Sequence, residues 1–253
     1  MSEQVESIMS EPLESKEPLH YDSIFRPILS GNAFEETIER LAQAVKLGVV
    51  APGSKLPPER ELVTRLQVSR ATLREAIRVL EQSGYLEAQR GRSGGTFVVH
   101  RITKTSESEA RSIAQKMGNS LLDALDFRWA IEPAVAELAA LRAQPTTVAW
   151  LKSLLEDVRT VSASSYRQAD SRFHLAIAEA TGTQSLITAV ADVQMRLSDL
   201  LATIPLLDTA LHHSDQQHEK ILDAIIACDG KRARIEMEEH VMATANLLRG
   251  FLG

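Results

Sequence analysis

Cysteine is almost absent: Cys228 stands alone among 253 residues. No intrachain disulfide can staple such a chain, and a reducing compartment suits it. Within Ile225-Ile226-Ala227-Cys228 the thiol reads as a small buried apolar residue. Aromatic residues make up only 4% of the chain, which favours close packing of Ala- and Leu-rich helices. No apolar run approaches the ~20 residues a membrane span needs. The N-terminal residues are acidic and Ser/Glu/Pro-rich, without the basic-then-apolar order of a secretory signal. A cytoplasmic protein with no membrane partner is expected. A basic excess is missing too, since the net charge is −6, which at first argues against a nucleic-acid partner.

The distribution of charge reverses that argument. Residues 54–101 carry nine Lys/Arg against five Asp/Glu, residues 1–33 two against six, and residues 102–253 fifteen against twenty. The local field decides which partner is drawn to which surface. In the basic stretch, Pro57 and Pro58 can open a helix with Leu62, Val63 and Leu66 on one side, because proline is tolerated in a first turn. Gln67-Val68 is a break, and Ser69 suits the N-cap of a second helix. There Leu73, Ala76, Ile77 and Leu80 follow the i, i+3, i+4, i+7 pattern of a core face. Arg70, Thr72 and Arg74 lie near the exposed start of this helix, and Arg78 continues the row. Guanidinium groups in that place suit reading of the major groove. Tyr85–Gln89 and Thr96–Val99 read as strands around a flexible tip holding Arg90, Arg92, Gly91, Gly94 and Gly95, a basic wing.

From Leu56 to Val99 the chain resembles the winged helix-turn-helix of the GntR family of bacterial transcription regulators, through L-P-P-E-R-E-L, V-S-R-A-T-L-R-E-A and G-G-T-F-V. The resemblance implies double-stranded operator DNA as partner. Arg60, Ser69, Arg70, Thr72 and Arg74 would bind it, together with Arg92, Gly94 and Gly95 at the wing tip.

Four segments are expected. Residues 1–32 form an acidic, mostly disordered segment in which Tyr21–Leu29 docks against the rest. Residues 33–99 form the DNA-binding unit, beginning with a helix over Phe34–Leu47, and residues 100–108 a polar linker. Residues 109–253 follow as an all-helical domain. Its periodicity predicts helices over Glu109–Lys116, Ser120–Arg142 (bent by Pro133), Thr146–Ser162, Ser165–Thr181, Gln184–Ala202, Thr209–Cys228 and Lys231–Leu252. Short connections favour antiparallel neighbours. The fold class is mainly α: three helices and a small β wing, joined to an all-α antiparallel bundle.

Five of the seven histidines lie in the helical half. Asp170 and His174 are four apart and share a helix face, while His218 and His240 lie on later helices. One carboxylate and three imidazoles suit a divalent ion, zinc first, with nickel or manganese as alternatives. This half resembles the FCD ligand-binding domain of the FadR subfamily, through Arg128, Ile131-Glu132, Asp170, Phe173-His174, His218, Ile221 and His240. The resemblance implies a metal held by Asp170, His174, His218 and His240, and a small carboxylic acid as effector. Arg128 is the first candidate to hold the acid's other end, Arg196 the second, and His213 a candidate at the cavity mouth. Relatives often carry Asn where this chain has Thr183 after Gly182. The expected protein is a homodimeric regulator, not an enzyme, whose operator affinity follows the bound acid. Its alternatives are a purely structural metal, or a metal-dependent hydrolase or lyase using Glu219 or Glu239.

Overall fold

The computed structural model describes residues 24–25, 27–28, 32–91, 94–99, 112, 116–203 and 208–249. The first unit opens with α1 (Ala33–Lys46), started by Asn32, whose side chain accepts from the Phe34 N–H at 3.1 Å. Gly48, at φ +68°, turns the chain out of it. Then come α2 (Glu59–Leu66) and α3 (Arg70–Gln82). Gln67 between them is left-handed, φ 55°, which makes the sharp corner between the two helices. Leu62, Leu66, Leu73, Ala76, Ile77 and Leu80 are buried as their spacing predicts.

Strands β1 (Leu86–Gln89) and β2 (Gly95–Val98) pair antiparallel, Leu86 opposite Val98 and Gln89 opposite Gly95. The segment before α2 adds to the sheet: Lys55 bridges Phe97, and the Leu56 N–H donates to the Thr96 carbonyl at 2.8 Å. Sequence reading had no strand there. Ile24 and Phe25 are buried, and the Ile28 N–H donates to the Leu66 carbonyl at 3.0 Å, so part of the N-terminal segment packs on the helix-turn-helix. The rest of that segment, the expected linker 100–108 and nearly all of the expected helix over Glu109–Lys116 lie outside the described residues.

The second unit holds α4 (Asn119–Arg142), α5 (Pro145–Thr160), α6 (Ala163–Ala180), α7 (Gln184–Thr203), α8 (Asp208–Ile226) and α9 (Gly230–Arg249). Helix α4 runs on through a buried Pro133. Phe173 to Ala178 of α6 are all at most 1% exposed. A stretch buried on all sides lies in the middle of a bundle, and α6 packs against α4, α5 and α7. Whatever polar groups α6 carries are thereby placed inside. Gly230 opens α9 hard against α4, where a Cβ would stand 3.1 Å from the Glu137 carbonyl oxygen.

Cys228 departs from expectation. It is exposed, at φ 55°, in the turn between α8 and α9. Helix α8 ends two residues earlier, so the apolar face that Ile225 buries does not extend to the thiol.

The two units meet at α6. Gln168 Nε2 donates to the Val45 carbonyl at 3.2 Å. Gly48 lies so close that a Cβ there would be 2.8 Å from that of Gln168.

Candidate metal centre and nucleic-acid interface

Asp170 and His174 stand one turn apart on α6, His218 comes from α8 and His240 from α9. All four are buried, and one ligand atom from each lies within 4.8 Å of the others. His174 Nε2 is 3.2 Å from His240 Nε2, which is 3.3 Å from His218 Nε2. His218 Nε2 in turn is 3.4 Å from Asp170 Oδ1. Two ligands each about 2.1 Å from one tetrahedral zinc stand roughly 3.4 Å apart.

The outer ring nitrogens say which face of each imidazole is free. His174 Nδ1 is 2.8 Å from Glu132 Oε2, and His240 Nδ1 is 3.2 Å from Gln217 Oε1. With an oxygen beside each Nδ1, both rings turn Nε2 inward, the atom a neutral imidazole would offer to a metal. Lone pairs at such separations repel unless a cation lies among them. Burial pushes His218 down to about 4, with His174 and Arg128 adding to it and Asp170 opposing. Burial, then the neighbouring His218, His174 and Arg128, draws His240 well below the usual imidazole range. Near neutral pH both are uncharged, the form that binds metal. The residues therefore fit a divalent ion.

Helix α4 lies behind the histidines. Arg128, 2% exposed, reaches Glu132 Oε1 at 3.1 Å with Nε and lies 3.5 Å from His174 Nε2 with Nη2. Burial raises the Glu132 carboxyl, but Arg128 and His174 outweigh it and hold the group at about 2. Gln194 of α7 donates to Glu132 Oε1 at 2.9 Å and accepts from Ser171 Oγ at 3.2 Å. Gln194, Gln217 and Ser171 were not found as site residues from sequence. A lone Gln or Ser on an amphipathic helix carries no signal, whereas Arg128 and Glu132, four apart, could have been read as a pair.

The other two effector candidates are placed differently. Arg196 is exposed and paired with Asp192 at 2.9 Å and Asp123 at 3.1 Å, not at the cluster. The cluster's α7 contribution is Gln194, and two residues along a helix turn a side chain to another face. His213 is exposed on α8 and close enough for its charge to depress His240. Thr183 faces the end of α4, accepting from Arg142 Nη1 at 3.1 Å.

At the other end of the molecule, Ser69 Oγ accepts from the Thr72 N–H at 3.0 Å, the expected N-cap. Arg60, Arg70 and Arg74 are all exposed on this surface. Arg74 Nε is 2.9 Å from Glu59 Oε2 across the helix-turn-helix, which orients the guanidinium. Lys55 Nζ donates to the Gly94 carbonyl and holds the wing tip, a contact with no sequence signal. A Cβ on Gly95 would collide with the Lys55 side chain. Arg92 lies outside the described residues.

Two family models match this chain: the bacterial regulatory proteins of the gntR family over residues 34–98, and the FCD domain over residues 123–243. The chain belongs to the GntR family. It is 31% identical over 235 residues to a protein of Escherichia coli (strain K12) provisionally named an L-lactate dehydrogenase operon regulatory protein, covering 88% of this chain and 89% of that one. The Uxu operon transcriptional regulator of the same strain is 30% identical over 200 residues, with 75% and 76% covered. Among solved structures, E. coli McbR/YncC shares the fold at a TM-score of 0.53 and 18% identity, over 88% of this chain and 100% of that one. These relatives are named as operon regulators rather than enzymes, and this GntR chain is a DNA-binding transcriptional regulator with an FCD domain. No helix among the described residues is long and apolar enough to cross a membrane.

Proposed function

We propose that this GntR regulator binds operator DNA as a homodimer in the cytoplasm and adjusts its affinity to a small carboxylic acid held at a divalent metal. The observation that carries this reading is the place of α6, which bears Asp170 and His174 inside the bundle and touches the DNA-binding unit through Gln168. Asp170, His174, His218 and His240 would hold the ion, zinc in the first instance. When bound, it supplies a Lewis-acid anchor for a carboxylate. Arg128, buried beside His174, supplies a fixed positive charge and a planar donor edge next to the same cluster. Settling an acid there favours one seating of α6, and the Gln168–Val45 hydrogen bond carries that seating to α1. A coupling of ~1–3 kcal/mol is enough to change operator occupancy.

The test is an operator titration of the zinc-loaded protein at fixed salt, with and without small carboxylic acids. An acid that binds the metal-loaded protein shifts operator affinity. Acids that bind without altering it leave the metal a structural role and overturn the switch. In the same titration Arg70→Ala and Arg74→Ala each weaken specific binding by ~1–3 kcal/mol. Unchanged affinity in both would remove α3 as the reading helix.

The homodimer draws support from apolar side chains left on the outside of the bundle. Leu122 and Trp129 of α4, and Ile235 and Met242 of α9, are 39%, 52%, 55% and 45% exposed, in two rows of heptad spacing. The rows adjoin, since Trp129 Nε1 donates to Glu238 Oε1 at 3.2 Å. An exposed apolar patch of this kind marks an interaction surface. Trp129→Glu with Ile235→Glu is expected to turn a dimer into a monomer in sedimentation velocity, with the helical circular dichroism retained. A double variant that still sediments as a dimer would place the interface elsewhere.

A further inference from the structure

Arg167 lies on α6 with Asp170 and His174. It precedes Asp170 by three and His174 by seven positions on α6, so the three side chains leave the same face of the helix. It is half-buried, and its Nε is shut off from solvent without a hydrogen-bond partner among the described residues. No carboxylate among the described residues pairs with it, although Asp170 is near enough for the two charges to interact. Burial draws its pKa down, Asp170 and Tyr166 oppose that, and Arg128 from α4 adds to it. Two guanidinium groups from different helices thus lie near the same cluster, Arg128 against His174 and Arg167 within charge range of Asp170. Glu132 compensates Arg128, whereas Arg167 has only the more distant Asp170, whose carboxylate is turned toward His218.

We propose that Arg167 is a second anion-holding group of this pocket, and that the acid it takes carries two carboxylates. This rests on the reading of the cluster as an acid-binding metal centre and narrows the class of acid. Arg128 with Glu132, and Arg167 with Asp170, balance in charge beside imidazoles that bind an ion in their neutral form, while Asp215 lies nearer the surface and accepts from Tyr166. A divalent ion then leaves the cluster two charges positive. A monocarboxylate cancels one of them, and a dicarboxylate cancels both. Low-dielectric surroundings make that difference count. One carboxylate would face the ion and Arg128, and the other would give the unpartnered Arg167 donors their acceptor.

The test uses calorimetric titration of the full-length, zinc-loaded protein with acids matched in pairs. Malate against lactate, and 2-hydroxyglutarate against 2-hydroxybutyrate, keep the same 2-hydroxy acid head and differ in a second carboxylate. In at least one pair the dicarboxylate is expected to bind about tenfold or more tightly. Arg167→Gln should abolish that margin while changing monocarboxylate affinity by less than about threefold and leaving the zinc content intact. Arg167→Lys, which retains the charge without the fork, should keep part of it. Equal affinities within both pairs, a margin that survives Arg167→Gln, or an equal loss for both acids of a pair would overturn the proposal. If the monocarboxylates bind and the dicarboxylates gain nothing, the metal centre still stands as an acid site. If none of the four acids binds zinc-loaded protein, the acid-binding reading itself fails, and the role of Arg167 with it.

Discussion

Glu132→Ala is expected to destabilise the helical unit by about 3–5 kcal/mol, the usual cost of stranding one member of a buried ion pair. Arg128 and Glu132 are each 2% exposed, and the glutamate carboxylate is met by Arg128, His174 and Gln194 together. Removing it leaves a guanidinium with no carboxylate partner among the described residues, in a place where water cannot replace one. The same change removes the acceptor that orients His174, which by itself lowers metal affinity about 10–100-fold. Glu132→Gln keeps an acceptor and the shape and should fall between the two. Urea denaturation of the metal-free protein gives the stability, and competition with a chromophoric chelator gives the affinity. A loss below about 1 kcal/mol in Glu132→Ala would mean that Arg128 finds another partner and that the network does not bind α4 to α6 as described. Its acid limit has a definite sign. A carboxyl held at about 2 rather than the ordinary 4.5 contributes stability above pH 4.5 and loses it as pH falls toward 2.

Zinc added to chelator-stripped protein should raise its melting temperature steeply, and His240→Ala should abolish the rise. With free ion at 100 to 1,000 times its dissociation constant, binding to the folded state alone adds about 2.7–4.1 kcal/mol. His240 is the decisive position, since its Nε2 lies 3.2 Å from that of His174 and 3.3 Å from that of His218. The metal-free protein has a pH dependence of its own. Buried imidazoles with lowered pKa stay neutral in the fold, while the unfolded chain takes up protons below about pH 6.5. Each such histidine therefore costs about 1.4 kcal/mol per pH unit below that point. For His218 the loss levels off near pH 4, where the folded form also titrates. A melting temperature indifferent to zinc, together with stability flat between pH 6.5 and 5, would show that the three rings do not share a dry cavity.

Much of this architecture could be read in the residue order because it depends on short-range chemistry. Ser69 caps α3 whatever the rest of the chain does, since its hydroxyl meets a donor three residues on. The predicted helix over Gln184–Ala202 matches α7 to one residue at its end. Asp170 and His174 had to share a face, being one turn apart. By contrast, the strand-like segment at Lys55 stayed hidden, because a single bridge beside a wing has no periodicity of its own. Cys228 was misplaced because its apolar neighbours end a helix, and the turn that follows faces outward.

The chain order alone thus indicated the helices found among the described residues, the basic helix-turn-helix stretch, and which imidazoles and carboxylate were available to meet. Residue spacing says nothing of how one helix is rotated against another. Only packing decided that His218 and His240, from two different helices, converge on the α6 pair. Packing also put Arg128 inside and Arg196 outside, two arginines that the residue order had offered for one task. The physical reason is that residues 173–178 of α6 are buried on every side, which puts this helix in the middle of the bundle. The helices around it then have to bring their polar groups to its two charged turns or leave them in water.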